Sequence, residues 1–122
     1  MPLLSSPGTV KFSAHMRVLL HIADAKLDVP IDEQITLGRS QDGQAGKPDV
    51  DLAPYNAFER GVSRWHALLK RDDQILTITD TASVNGTWLN GRRLRPGVPQ
   101  VLADGDTVWL GQLRLDVYFY YA

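Results

Sequence analysis

In "RGVSRWHALL", residues 60–69, a serine stands three positions ahead of a histidine, with an arginine and a tryptophan between them. Two chemistries use such a set. A serine hydrolase needs an imidazole that takes the hydroxyl proton and a third group that orients the ring. An anion site needs a hydroxyl beside a guanidinium, which Ser63 and Arg64 would supply. The hydrolase reading gains no support from its surroundings. "GVSRW" is not the G-x-S-x-G elbow, and no strand-turn-helix unit surrounds it. Of the 14 acidic residues, none is singled out as the orienting acid. Zinc fares no better: His15, His21 and His66 are scattered, and the chain has no cysteine. No catalysis, metal or cofactor is expected.

Two further stretches carry anion-binding groups. "TLGRS" places Arg39 directly after Gly38, where a β-rich run breaks into a loop. "SVNGTW" places Ser83, Val84, Asn85 and Gly86 just ahead of another β-prone run. Each has a plain explanation alone: a strand end with a solvated arginine, or a turn. Together with Ser63 and Arg64 they offer guanidinium forks, hydroxyls, a carboxamide and backbone N–H groups, a set suited to phosphate.

Those residues need strands to carry them. "MRVLLHIA" (16–23) and "EQITLGR" (33–39) read as strands, and "HALLKR" with "QILTIT" reads as a hairpin turning at "DD". Asn-Gly in "GTWLNGRRL" is a strong hairpin indicator. The last stretch, "DGDTVWLGQLRLDVYFYYA", reads as two strands around Gly111-Gln112, with Leu113, Leu115, Val117 and Phe119 on one face. No segment holds a helical period over three turns. Residues 40–61 form a long irregular stretch with only the short run "VDL", and such loops tend to be functional or disordered. Many short strands with frequent turns predict an all-β sandwich, whose loops converge at one end.

At 122 residues the chain fits one domain on the usual prior. We expect a flexible N-terminal arm over 1–15 and a single domain over 16–122. A net charge of -1 gives no basic field to draw in nucleic acid, and the arginines of "NGRRLRPG" read as a solvated turn. The apolar runs are far too short to span a bilayer, and the N-terminus does not read as a signal peptide. Absence of cysteine fits a reducing compartment, so a cytoplasmic location is expected.

Gly-Arg, then Ser-Arg-x-His-Ala, then Asn-Gly-Thr-x-x-Asn-Gly, in that order from about Ile35 to Gly111, resembles the forkhead-associated (FHA) domain. The resemblance implies a β-sandwich of about eleven mostly antiparallel strands that binds phosphothreonine in a partner protein. It implies that Arg39 pairs with the phosphate, that Ser63 hydrogen-bonds it and that Arg64 contacts phosphate or peptide. It also implies that Asn85 holds the peptide main chain, with Ser83 and Val84 beside it. Gly38, His66 and Gly86 would support the binding loops. The partner implied is a Ser/Thr kinase or its substrate. The sequence departs from the pattern at Val84, where the family often has serine or threonine, and in the "APYNAFER" insertion, which would shape or cover the peptide groove. Val84 leaves open an alternative, a phosphate-independent interaction or assembly domain on the same fold. Trp65 reads as packed on its loop rather than as a partner contact.

Overall fold

A computed structural model describes Phe12 and residues 16–121. Alternating apolar residues set the long strands. In β1 (Met16–Ile22) Met16, Val18, Leu20 and Ile22 are buried and the residues between them are half-buried. In β11 (Leu113–Tyr121) Leu113, Leu115, Val117 and Phe119 face the core, as the sequence predicts. Leu37 of β3 (Gln34–Gly38), Leu69 of β5 (Trp65–Asp72) and Ile78 of β6 (Ile75–Asp80) join the same core from the other sheet, and Leu110 of β10 (Thr107–Leu110) lies beside β11 in the same sheet. β2 (Ala25–Val29), β4 (Val50–Asp51), β7 (Thr87–Leu89), β8 (Arg92–Arg93) and β9 (Gln100–Val101) complete the set.

One sheet runs β2-β1-β11-β10-β7-β8 and the other β4-β3-β5-β6-β9. All the strand pairings are antiparallel except β3 with β4. The expected sandwich is therefore present, with eleven strands among the described residues. The Asn-Gly hairpin also forms: Leu89 pairs with Arg92 across Asn90 (φ 50°) and Gly91 (φ 84°). Both turn residues are left-handed, as a type I′ turn demands. In the β5–β6 hairpin Asp72 pairs with Ile75, so the turn is Asp73-Gln74, one residue later than expected. Asp73 takes φ 58°, a conformation a short polar side chain tolerates.

Two strands go beyond the sequence expectations. β2 carries polar residues at its exposed positions, and β9 has only two residues; both lie at sheet edges. Residues 40–61 are also more ordered than their composition suggests. "VDL" supplies β4, Ala53–Tyr55 form a 3₁₀ turn, and Leu52, Ala57 and Val62 anchor the segment in the core.

The arm expected over 1–15 is described only at Phe12, which is 1% exposed. Its ring meets Phe119 edge-on at 5.0 Å, its N–H donates to the Gln74 carbonyl at 2.9 Å, and the Arg71 guanidinium lies over it. A boundary at residue 16 therefore leaves a core side chain outside the domain; the rest of 1–15 lies outside the described residues. Among the described residues, no helix is long and apolar enough to cross a membrane.

Candidate functional site

Gly38 ends β3, Trp65 opens β5, Asp80 ends β6 and Thr87 opens β7. Pairing of Gly38 with Trp65 and of Ala67 with Asp80 puts the first three at one end of their sheet. The pairing of β5 with β3 skips His66: Leu37 faces Ala67 and Gly38 faces Trp65. Such a bulge re-aims side chains. Here His66 and Ala67 are both buried, and the His66 ring enters the space beneath the loops.

His66 is fully buried and ties two loops together. The Ser63 N–H donates to its Nδ1 at 2.9 Å, so the ring proton sits on Nε2, which donates to the Gly86 carbonyl at 2.8 Å. Burial lowers its pKa, against the opposing pulls of the Gly86 hydrogen bond and the Asp80 charge. The ring is therefore a neutral brace. Both its nitrogens bond main-chain atoms and neither bonds the Ser63 hydroxyl, so the Ser–His pair of a hydrolase is not assembled.

Arg39 reaches across to the same loop. Its Nε donates to the Val62 carbonyl at 2.6 Å and its Nη1 to Gln41 Oε1 at 3.1 Å. Its guanidinium carbon lies 4.8 Å from the centre of the Phe58 ring. Among the described residues no carboxylate pairs with Arg39. The Ser63 hydroxyl accepts the Val84 N–H at 3.0 Å, which leaves its own proton available to donate. Gly38 permits the approach of these loops, because a Cβ there would lie 1.9 Å from the Arg64 carbonyl oxygen.

The third loop is built on Asp80, which is 1% exposed. Its Oδ1 accepts from the Ser83 hydroxyl at 2.5 Å and from the Thr87 hydroxyl at 2.6 Å. Ser83 Oγ in turn accepts the Gly86 N–H at 3.0 Å. Gly86 itself takes φ 91°, a conformation that favours glycine. Asn85 is exposed and its Nδ2 donates to the Gly61 carbonyl at 2.9 Å, while its carboxamide oxygen has no hydrogen-bond partner among the described residues. A cavity of about 390 Å³ adjoins it, lined by Glu59, Arg60, Trp88 and Gln112. A larger one, about 730 Å³, lies against β10 and β11 and includes none of Arg39, Ser63 or Asn85.

The structure thus brings Arg39, Ser63, Val84 and Asn85 together and uses two expected contact residues differently. The Ser83 hydroxyl is spent inside its loop. Arg64 turns its Nη2 to the Ala45 and Gly46 carbonyls, at 3.0 and 3.4 Å, and so fastens the β3–β4 loop. Trp65 is exposed, at 45%, and not packed on its loop as the sequence suggested; only the edge of its ring lies beside Gly46. Sequence reasoning did not single out Asp80 or Phe58. An aspartate three residues before a serine in a turn is a recognisable local pattern; the lone Phe58 gave no such indication. Among the described residues no group of His, Asp or Glu is placed to hold a metal.

The family model for the FHA domain matches residues 35–111. The chain belongs to the FHA family. Protein FraH of Nostoc is 29% identical over 117 residues, 94% of this chain and 39% of that protein. The FHA domain-containing protein FhaA of Mycobacterium tuberculosis is 36% identical over 81 residues, 66% of this chain and 13% of FhaA. The chain therefore spans well under half the length of these curated relatives. An FHA domain solved in a structural and functional analysis of phosphothreonine-dependent FHA interactions superposes with a TM-score of 0.66 at 27% identity. That match covers 87% of this chain and 99% of the other.

Proposed function

We propose that this FHA domain binds phosphothreonine in an extended segment of a partner protein and performs no catalysis of its own. The observation that carries this reading is the pairing of an arginine free of carboxylates with a serine hydroxyl whose proton is unspent, on adjoining loops. A phosphothreonine brings about 1.5–2 negative charges and three acceptor oxygens. Arg39 meets that charge, the Ser63 hydroxyl donates to one oxygen, and the unpaired carboxamide oxygen of Asn85 accepts from the peptide main chain. Arg64, Ser83, Gly38, Gly86 and His66 hold these groups in place. The partner is a phosphorylated Ser/Thr kinase or a kinase substrate. The compartment is the cytoplasm, in keeping with a chain that has no cysteine.

Calorimetry on one peptide in three forms tests this. The phosphothreonine form binds and the unphosphorylated form does not. The phosphoserine form binds more weakly by at least about fourfold, because one buried methyl contributes about 0.8 kcal/mol. Equal binding with and without phosphate would establish the phosphate-independent interaction domain instead. Equal affinity for phosphoserine and phosphothreonine would leave a general anion nest.

A further inference from the structure

Phe58 is 64% exposed, yet it stands on a closely held turn. Asn56, at φ 59°, starts that turn. The Arg60 N–H then donates to the Asn56 carbonyl, Gly61 to Phe58, and Val62 to Ala57, at 2.9–3.1 Å. Ala57, at 0%, and Val62, at 2%, are buried on either side. The ring is thus presented on a fixed support and is not the end of a loose loop. Scattered exposed apolar side chains are ordinary on protein surfaces. This one touches the arginine proposed to read the phosphate. A second exposed apolar side chain, Val84 at 83%, stands at the same mouth, its N–H bonded to Ser63 Oγ. Two loops therefore flank the anion-binding groups with apolar surface.

We infer that Phe58 is a specificity-determining residue: it receives an apolar side chain of the partner, close in sequence to the phosphothreonine. The inference rests on the phosphopeptide reading above and adds the ligand's side-chain class. An apolar residue laid on the Phe58 ring removes both surfaces from water, and the ring's fixed position limits the ordering cost. Its stacking on Arg39 gives the ring a second effect, holding the guanidinium for every phosphopeptide alike. The two effects separate by experiment.

The test is a leucine scan: in a phosphothreonine peptide whose flanking residues are serine and alanine, leucine is moved through each flanking position in turn. Affinities are measured for the wild type, Phe58→Ser and Phe58→Leu, with melting temperatures as a folding control. In the wild type, leucine at one position raises affinity roughly tenfold over the base peptide. Phe58→Ser loses that preference and binds all the peptides somewhat more weakly, whereas Phe58→Leu keeps it. A flat scan in the wild type, or a preference that survives intact in Phe58→Ser, overturns the inference while leaving phosphate binding standing. If the phosphorylated and unphosphorylated base peptides bind alike, the phosphopeptide reading fails and this inference falls with it.

Discussion

Two serines twenty residues apart share a mouth and differ in what their hydroxyls do. Ser63 Oγ only accepts, from Val84 N–H, whereas Ser83 Oγ donates to the buried Asp80 and accepts from Gly86. Ser63→Ala should therefore weaken phosphopeptide binding and leave the melting temperature nearly unchanged. Arg39→Ala should weaken binding on a larger scale, since a charge-assisted hydrogen bond contributes about 1.5–3 kcal/mol, or about one to two powers of ten in affinity, and should lower the melting temperature modestly because the Val62 carbonyl loses its donor. Ser83→Ala should show the opposite balance, because it strips a donor from a buried carboxylate at a cost of about 1–3 kcal/mol of stability. Calorimetry with a phosphothreonine peptide and thermal melts on the same samples check all three. A Ser83→Ala variant that melts like wild type and binds tenfold more weakly would return Ser83 to the contact residues. The order of Gly-Arg, Ser-x-x-His and Asn-Gly singled out Arg39, Ser63, His66 and Asn85 in the sequence, and the loops that carry them adjoin in the structure. The roles of Ser83 and Arg64 were not legible. A hydroxyl or guanidinium at a loop mouth can turn inward or outward, and the acceptors that decide it are Asp80 and the Ala45 and Gly46 carbonyls.

Among the elements, the strands that alternate over six or more residues, and the Asn-Gly turn, were readable because their periodicity and turn chemistry agree. β2 and β9 were not, since a polar edge strand and a two-residue strand form only where a neighbouring strand offers its unpaired edge. The β5 bulge was equally hidden, yet it puts His66 under the loops. Through that ring the β4–β5 loop, which carries Ser63, is coupled to the β6–β7 loop, which carries Asn85. His66→Ala leaves the Ser63 N–H and the Gly86 carbonyl without partners and opens a void at a fully buried position. We expect a loss of about 2–4 kcal/mol of stability and weaker phosphopeptide binding together, from one substitution that touches no phosphate oxygen. The readouts are a urea denaturation curve and a titration on the folded fraction. Retained stability with affinity alone reduced would mean that His66 contacts the ligand.

At the scale of the whole molecule, frequent turns and short alternating runs indicated a sandwich, but nothing local indicated that β1 pairs with β11 or that β10 lies between β11 and β7. Those pairings join distant parts of the chain, and burial decides them rather than propensity. The same burial makes the fold sensitive to protons. His66 is held below its ordinary pKa of 6.5, chiefly by burial. Above about pH 6.5 the ring is neutral in both folded and unfolded chains and contributes no pH dependence. As the pH falls through that value the unfolded chain takes up a proton that the folded chain refuses. Stability then drops by up to about 1.4 kcal/mol per pH unit until the folded-state pKa is reached. Asp51 adds a second loss at lower pH. Burial raises its pKa, but hydrogen bonding from the Ser40 side chain and from the Ser40 and Ala53 N–H groups, with the nearby Lys47 charge, outweighs that and leaves it below 3.8. Its contribution is present above that value and is lost as the carboxylate protonates. Urea midpoints without peptide isolate the histidine, since the phosphate of a ligand would itself titrate near pH 6. Between pH 8 and pH 5, on the order of the interval that spans the imidazole pKa, the wild-type midpoint should hold and then fall. In His66→Asn, which has no ring to protonate, it should stay flatter over the same interval. Parallel curves would place the proton uptake elsewhere and sever the link between the loop brace and the acid sensitivity of the fold.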